Sequence, residues 1–264
     1  MMESDLHLPA VRNASFEAGD QQFHLSVVIP TIWRDSLSNA VASALALDCT
    51  RYRVEVIVVV DREDRSDTEH EAPLKIDPRA RVYHTGGRRG ASHARNLGIE
   101  VATAKFIAFL DDDDEYLPQK MGESAVNFIE ENRPRTILTG RAWYRLRGNP
   151  DVLVPRVCYS SGDVADYLFV RRRLSAARNL IPTPTWIMSR DFAAEVKWSE
   201  GRSRHQDWDF IIRAQKMHGA KIVQIEEAVV VVNMESQASI TSAGGDNRSF
   251  DWICQMKDLV SKQA

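Results

Sequence analysis

Short apolar runs alternate with amphipathic stretches along the first half of the chain. The β-branched runs LSVVI (25–29) and VEVIVVV (54–60) predict strands, and Pro30 is expected to end the first. The near-continuous apolar character of the second is typical of a parallel strand covered on both faces. Further strands are predicted at RVYHT (81–85), KFIAFL (105–110) and TILTG (136–140).

The stretches between these runs carry apolar residues at helical spacing. These residues are Leu37, Val41, Ala44 and Leu45, then Ala94, Leu97 and Val101, and then Met121, Ala125, Phe128 and Ile129. Asp35 or Ser36 is suited to cap the first helix, and Pro118 is suited to begin the third. The alternation of strand and helix predicts an α/β fold, with a Rossmann-like, mostly parallel sheet, helices on both faces, and ligands at the carboxyl ends of the strands.

The pattern becomes mixed and less regular from about residue 141. A helix is predicted in QDWDFIIRAQKMH (206–218), closed by Gly219, and strands in KIVQI (221–225) and AVVVV (228–232), before a polar loop at 236–249. Residues 1–22 are expected to be a flexible tail. Residues 23–264 are expected to form one domain, with a nucleotide-binding half at about 23–118 and an acceptor-binding, catalytic half at about 119–264.

Composition limits the classes of function. The chain is 44% hydrophobic with a net charge of −3, so it predicts an ordinary globular protein and no nucleic-acid partner. Three cysteines without CxxC spacing argue against disulfides and a zinc site, and the amino terminus lacks a signal or anchor segment. We therefore expect a cytoplasmic protein. Contact of the arginines at 171–173 with the inner face of a membrane is left open.

The stretch FLDDDDEYLP, Phe109 to Pro118, places five consecutive carboxylates directly after a predicted buried strand. Adjacent like charges repel, so a fold that holds them together needs a compensating cation. Oxygen-only ligands suit a hard divalent metal such as Mg²⁺ or Mn²⁺. The alternative is a solvent-facing acidic loop or a helix amino terminus.

Four stretches resemble glycosyltransferase family 2 with the GT-A fold, over about residues 24–220. They are SVVIPTIWR, EVIVVVD, GASHARNLGIEVATAKFIAFLDDDDEYLPQKM and HQDWDFIIRAQKMHG. The resemblance implies an inverting, metal-assisted transfer of a sugar from a nucleoside diphosphate sugar, with UDP, GDP or dTDP, to an acceptor hydroxyl. It also implies a glycan or lipid-linked acceptor, in the synthesis of bacterial surface polysaccharide or glycolipid.

The resemblance also implies residue roles. The metal ligands would be Asp113 and Asp111, the nucleotide-sugar contacts Pro30, Thr31, Asp61, Arg95, Asp111 and Asp112, and the catalytic base Asp207. The family's motif fits the four aspartates in registers that differ by one residue, and Asp64 rivals Asp61 because the family's DDGS pattern is absent.

The helix that begins near Asp207 leaves other readings open. Asp209 rivals Asp207 as the base, although positions i and i+2 do not share a helix face. Asp207 also suits a helix cap, and Gln206 replaces the acidic residue that precedes the base in the family. Trp186 and Trp208 suit either a sugar contact or the core, whereas Asn96 is expected to fix a loop.

Other functions compete with this reading. A sugar-nucleotide or glycan binding module of the same fold would lack turnover, and the departures at Gln206 and after Asp61 favour it. A nucleotidyltransferase would need a glycine-rich phosphate loop after the first strand, where the chain has PTIWRDS. A dinucleotide-dependent dehydrogenase would need GxGxxG there.

Overall fold

A computed structural model of the chain describes residues 22–47, 51–63, 77–146, 148–170, 179–202, 204–234 and 247–261. The strands are β1 (Leu25–Thr31), β2 (Val54–Val60), β3 (Ala80–His84), β4 (Phe106–Phe109), β5 (Glu115–Tyr116), β6 (Thr136–Arg145), β7 (Val152–Val154), β8 (Ile187–Ser189) and β9 (Lys221–Asn233). The helices are α1 (Leu37–Leu45), α2 (Ala91–Val101), α3 (Pro118–Glu131), α4 (Val164–Phe169), α5 (Arg190–Val196), α6 (Gln206–His218) and α7 (Asn247–Met256).

These strands form one sheet in the order β3-β2-β1-β4-β8-β6-β9-β5, with β7 paired to β6. The first four are parallel, as is the long β6–β9 pair, whereas β8, β5 and β7 join antiparallel. The predicted α/β fold, with a mostly parallel sheet and a mixed second half, is confirmed.

Helices cover both faces of the sheet, and alternate residues of β1 therefore point into two different cores. Val27 and Ile29 pack in one core with the apolar faces of α1 and α3. Val28 packs in the other core with residues of α2, α5 and α6. Every residue of β2 is buried, as its apolar sequence predicts. No helix within the described ranges is both long enough and apolar enough to cross a bilayer.

Several element boundaries differ from the sequence prediction. β1 continues through Pro30 to Thr31. The N–H that Pro30 lacks would point to the β4 side, where the pairing with β4 has already ended at Val28, so the proline does not interrupt the strand. The two strands predicted after Gly219 are one strand, β9, whose register with β6 shifts near Arg141. The predicted polar loop at 236–249 is helical at its end, where α7 begins.

The predicted cap of α1 is wrong, and several other predicted features fall outside the described residues. The side chains of Asp35 and Ser36 do not cap α1, since no side-chain hydrogen bond is made at that cap. The predicted flexible tail lies outside the described residues apart from Gln22, as do Asp64 and the arginines at 171–173.

Gly98 sets how closely α2 approaches the sheet. A Cβ atom at Gly98 would lie 2.3 Å from Cγ1 of Val28, which is fully buried in β1. A methyl group there would push α2 away from β1. The position of α2 matters for the pocket described below, because its amino-terminal half carries Arg95.

We expect Gly98→Ala to lower the free energy of unfolding by about 1–2 kcal/mol, because overpacking outweighs the helix propensity gained. Gly122→Ala is the matched control in α3, where the nearest atom to the new Cβ is the Tyr52 hydroxyl at 3.5 Å. That variant should be neutral or stabilised by up to about 1 kcal/mol. Urea denaturation measures both, and an equal response would contradict the close approach.

Glu55 is a buried charge that joins three strands at the end of the sheet opposite the acid-rich stretch. Its carboxylate accepts hydrogen bonds from Ser26 Oγ (2.6 Å) and from the backbone N–H and hydroxyl of Thr103 (2.7 and 2.8 Å), and it pairs with Arg81. Burial alone would raise the pKa of Glu55, but these hydrogen bonds and the charge of Arg81 lower it below 4.5.

We expect Glu55→Gln to cost about 3 kcal/mol of unfolding free energy at neutral pH, because Arg81 loses its buried partner. Since the folded-state pKa of Glu55 is lowered, its stabilisation is fully present above pH 4.5 and is lost as pH falls through the folded-state value. The deficit of the variant should therefore shrink below pH 4.5 in urea titrations. Glu226→Gln, at an 81% exposed side chain, is the control. A deficit independent of pH would contradict this account.

Candidate active site

A cavity of about 410 Å³ opens at the carboxyl ends of β1, β2 and β4. Its walls include every residue that the sequence analysis assigned to the site, which are Pro30, Thr31, Asp61, Arg95, Asp111, Asp112, Asp113 and Asp207. The walls also include residues that the sequence analysis did not assign, among them Ile32, Arg34, Asp114, Thr183, Arg204, His205, Asn233 and Met234. Thus α6, distant in sequence, meets the strand ends at one pocket.

The four aspartates after β4 form a tight turn, which we call the acid turn (Asp111–Asp114). The backbone N–H of Asp114 donates to the carbonyl of Asp111 at 3.1 Å. Arg34 reaches across from the β1 side and donates through one nitrogen to Asp112 (2.9 Å) and to Asp113 (2.8 Å). One guanidinium therefore holds two adjacent carboxylates together.

Thr31 connects the end of β1 to the same turn. Its hydroxyl donates to Asp112 at 2.5 Å and accepts from the backbone N–H of Trp33 at 2.7 Å. Burial raises the pKa of Asp112, against the effects of Thr31 and Arg34, and the neighbouring carboxylates raise it further. The side chain of Asp112 is thus hydrogen-bonded to Thr31 and Arg34 and also lines the cavity.

Arg95 of α2 holds the exposed end of the acid turn. Its guanidinium donates to Asp111 at 2.6 Å and to the side-chain oxygen of Gln206 at 3.1 Å, and it lies 4.7 Å from the ring centre of Trp198. Only 7% of Arg95 is exposed. The guanidinium of Arg95, predicted to contact the nucleotide sugar, thus bridges the acid turn and the first residue of α6.

Asn233 at the end of β9 fixes the other end of the turn. Its backbone N–H donates to Asp114 at 3.0 Å, and its side-chain amide donates to the carbonyl of Asp113 at 2.7 Å. Asp114 is 3% exposed, and burial followed by the charges of Asp111 and Asp113 raises its pKa well above the usual range. Asp114 is therefore a structural member of the turn.

Asp61, at the end of β2, organises the loop that precedes α2. Its carboxylate accepts from the Thr85 hydroxyl and from the backbone N–H groups of Arg89 (2.9 Å) and Gly90 (2.7 Å). Burial would raise the pKa of Asp61, but these bonds lower it. Gly90 has a φ of 85°, which a glycine adopts without strain. Asp61 thus shapes the loop and also faces the cavity.

Asp207 lies in the first turn of α6 and is partly exposed to the cavity. The predicted alternative, a cap role, is wrong, because the cap residue is His205 with a φ of 59°. Burial raises the pKa of Asp207, although nearby N–H groups and Arg95 oppose this, and the charge of Asp111 adds to the rise. A raised pKa makes this carboxylate a stronger base than an exposed aspartate.

Asp209, the rival of Asp207, points away from the cavity into the core. It is fully buried, accepts from Ser199 (2.6 Å) and Arg213 (2.9 Å), and pairs with Arg202 at 3.2 Å. Its two oxygens therefore serve the packing of α6. The separation of the two aspartates follows from their i, i+2 spacing.

Asn96 and Trp186 take structural roles that the sequence analysis considered for them, and Trp208 packs against other aromatic rings. Asn96 fixes the loop after α5, accepting from the Trp198 backbone N–H at 2.9 Å and donating to the carbonyl of Trp198 at 3.0 Å. Trp186 is fully buried. Trp208 stacks on His205, with ring centres 4.6 Å apart, and packs near Trp252 of α7.

A divalent cation fits the acid turn chemically. The carboxylates offer only oxygen atoms, which Mg²⁺ and Mn²⁺ prefer, and three of the four contact the guanidinium groups of Arg34 and Arg95. Among the described residues, no three acidic, histidine or cysteine side chains already converge in a metal-binding arrangement. A cation on Asp113 would thus take the place that Arg34 holds, and Asp111 is the second candidate ligand.

Comparison with known proteins decides the family. The sequence profile of "Glycosyl transferase family 2" matches residues 26–195, which is more than half of the chain. The chain belongs to glycosyltransferase family 2. The match covers β1 from its second residue onward, the acid turn and α2, and it ends before α6, so Asp207 lies outside the matched residues. The family assignment makes the protein a glycosyltransferase.

Relatives and solved structures agree with this assignment. The chain is 28% identical over 255 residues to "Amylovoran biosynthesis glycosyltransferase AmsB" of Erwinia amylovora, covering 90% of this chain and 79% of that protein. It is 34% identical over 83 residues to "Glycosyltransferase GlyG" of Streptococcus pneumoniae, covering 31% of this chain and 27% of that protein.

The fold is that of S. aureus TarS, whose residues 1–349 were crystallised in complex with UDP-GlcNAc. The TM-score is 0.65 at 19% identity, over 89% of this chain and 65% of that chain. At this identity the likeness shows the fold alone. The predicted GT-A fold of a family 2 glycosyltransferase is thereby confirmed.

Arg34 and Asn233 are site residues that the sequence pattern of this family 2 member does not identify. Both follow predicted strands, so both occupy the sheet edge where ligands gather, and that position was the available signal. Their contacts with the acid turn join residues about 80 and 120 positions apart. A pattern of neighbouring residues cannot indicate contacts over such sequence separations.

We expect Arg34→Gln to strengthen Mn²⁺ binding about tenfold, because the change removes a positive charge and frees an oxygen of Asp113. Asp113→Asn should weaken it by a similar factor. Arg34→Lys, which keeps the charge, is the matched control and should stay close to the parent protein. Titration calorimetry with Mn²⁺ alone measures all three. Weaker binding by Arg34→Gln would show that Arg34 does not compete with the cation.

Proposed function

We propose that this glycosyltransferase transfers a sugar from a nucleoside diphosphate sugar to an acceptor hydroxyl with inversion at the anomeric carbon, assisted by a divalent cation. The observation that carries the proposal is the shared cavity, in which the acid turn and Asp207 face one space at the carboxyl ends of the strands. One wall carries the acid turn with Arg34 and Arg95. The other wall carries Asp207, a carboxylate whose pKa is raised.

The donor side of the cavity comprises Pro30, Thr31 and Asp61 at the ends of β1 and β2, together with Asp112 of the acid turn. These residues are proposed to contact the nucleoside, as the family resemblance implies. A uridine nucleotide is the first candidate, because the TarS structures of the same fold hold UDP-GlcNAc and UDP. GDP and dTDP sugars are the alternatives.

Asp113 and Asp111 are the proposed cation ligands. The cation, when bound, would neutralise charge that develops on the departing diphosphate. Arg34, released from Asp113, would stay within reach of the same phosphates as a second positive charge. Arg95 keeps Asp111 close to α6 and so fixes the donor side relative to Asp207.

Asp207 is the proposed catalytic base. The acceptor oxygen forms a bond to the anomeric carbon as the bond from that carbon to the diphosphate oxygen breaks. The hydroxyl proton passes to the Asp207 carboxylate, and the nucleoside diphosphate leaves with the bonding electron pair. Burial raises the pKa of Asp207, which favours proton uptake although Gln206 supplies no neighbouring charge.

The biological setting is proposed from the relatives. AmsB acts in the biosynthesis of amylovoran, a polysaccharide, and matches 90% of this chain. We propose a glycan or lipid-linked acceptor in surface polysaccharide or glycolipid synthesis, on the cytoplasmic side and in contact with the inner face of the membrane. Residues 23–118 would bind the nucleotide, and residues 119–264 the acceptor.

We expect Asp207→Asn to lower the rate of sugar transfer by about 10²–10⁴-fold while leaving the affinity for UDP and Mn²⁺ unchanged, because the amide cannot take the proton. A screen of nucleotide sugars read by mass spectrometry identifies the donor. A coupled assay for the released nucleoside diphosphate then gives the rate, and calorimetry gives the affinity.

Asp191→Asn is the matched control, since its side chain is 92% exposed on α5. It should keep full activity. Full transfer by Asp207→Asn would remove Asp207 as the base. Release of pyrophosphate in place of a nucleoside diphosphate would contradict the proposed reaction and indicate nucleotidyl transfer.

A further inference from the structure

Trp143 is a large aromatic side chain on the sheet surface that the proposed chemistry does not use. It lies in β6, between Leu153 of β7 and Val231 of β9 in the strand register, and it is 36% exposed. A tryptophan presented on a sheet leaves a flat apolar ring face open to solvent. Apolar side chains exposed one at a time are ordinary on a protein surface, whereas an apolar patch rimmed by polar residues marks an interaction site.

The register places Trp143 on the same face of the sheet as the acid turn. Val231 is its direct neighbour in β9, and Asn233, two residues further, shares that face because strand side chains alternate. Asn233 lines the cavity and donates to Asp113. Strand spacing puts the Cα atoms of Trp143 and Asn233 about 8 Å apart. Trp143 therefore lies beside a residue of the cavity wall.

Polar groups surround the aromatic ring on this face. Arg145 donates to the side-chain oxygen of Asn233 at 3.4 Å and lies 3.7 Å from Asp151 across the β6–β7 hairpin. The side chains of Arg145 and Asp151 are 47% and 41% exposed. An apolar centre of Trp143 and Leu153 is thus rimmed by donors and acceptors. We call this surface the Trp143 platform (Trp143, Arg145, Asp151, Leu153).

We propose that the Trp143 platform binds a pyranose ring of the acceptor glycan, an inference that rests on the proposed function. A pyranose ring has one face of C–H bonds, which carry slight positive charge and pack against the negative face of an indole. Its equatorial hydroxyls point outward and meet the charged rim. A lipid chain would offer no hydrogen-bonding groups to the exposed side chains of Arg145 and Asp151, and their charges disfavour a dry protein interface.

The position of the platform suits a sugar next to the one that reacts. The reacting hydroxyl must lie inside the cavity near Asp207, whereas Trp143 lies outside it along β6 and β9. A platform at that point would select acceptors that already carry more than one sugar. Met234, a 51% exposed residue that lines the cavity, directly follows β9, where its backbone N–H donates to the Arg145 carbonyl at 3.1 Å.

Saturation-transfer NMR with methyl glycosides of glucose, galactose, N-acetylglucosamine and glucuronic acid tests the platform on the full chain, with and without UDP and Mn²⁺. We expect transfer to ring C–H protons of at least one glycoside, with dissociation constants in the millimolar range. Trp143→Ala should weaken this binding at least about tenfold. Trp143→Phe, which keeps a ring face, should retain most of it.

Met217→Ala is the matched control, because Met217 is a 61% exposed apolar residue of α6 outside the platform. It should bind glycosides like the parent protein. Calorimetry with UDP and Mn²⁺ should give the same affinity for every variant, which shows that each one is folded. Sedimentation of the parent and Trp143→Ala should give the same mass.

Three results would overturn the proposal. They are equal glycoside binding by the parent and Trp143→Ala, no binding of any glycoside by the parent, and a change of mass that makes the platform a contact between copies. Failure of the parent protein to bind any nucleotide would instead contradict the proposed function. The two failures are distinguishable because the glycoside measurement without UDP does not use the donor site.

Discussion

The structure around the cavity depends on how four adjacent carboxylates are held at one strand end. Arg34 binds two of them from the β1 side, Arg95 binds a third from α2, and the backbone of Asn233 binds the fourth. Each contact comes from a different element, so the acid turn also fixes where β1, α2 and β9 meet. Two guanidinium groups offset only part of the charge. The remaining negative charge suits the turn to the cation proposed above, which would compete with Arg34 for Asp113.

Arg95 links this electrostatic centre to the second half of the chain. Its guanidinium contacts Asp111 and Gln206 at once, and the indole of Trp198 covers it. An acidic residue at position 206 would pair more strongly with Arg95, but it would also add a negative charge beside Asp207. With Gln206 the bridge is neutral on the α6 side, and burial, with a smaller effect from the charge of Asp111, raises the pKa of Asp207. The departure from the family pattern thus preserves the bridge.

Much of this arrangement is predictable from the sequence, because each buried parallel strand is a short, continuous apolar run. The run VEVIVVV could only be a covered strand, and the polar residues after each run had to meet at one sheet edge. Arg34 and Asn233 were missed because their partners are far away in sequence. The sequence predicts two strands in place of β9, because the polar residues Glu226 and Glu227 interrupt its apolar pattern. These residues lie where the register with β6 shifts, and a register shift cannot be distinguished from the end of a strand by pattern alone.

The two aspartates of α6 show why residue type does not settle a role. Asp207 and Asp209 have the same chemistry and lie in the same helical turn, but the helix turns about 200° between them. That rotation carries Asp209 into the core, where one oxygen accepts hydrogen bonds from Ser199 and Arg213 and the other lies 3.2 Å from Arg202. Asp207 is left facing a cavity whose opposite wall is itself acidic. The rotation of α6 about its axis therefore decides which carboxylate is available to take a proton, and packing of the buried Phe210 and Ile211 determines that rotation.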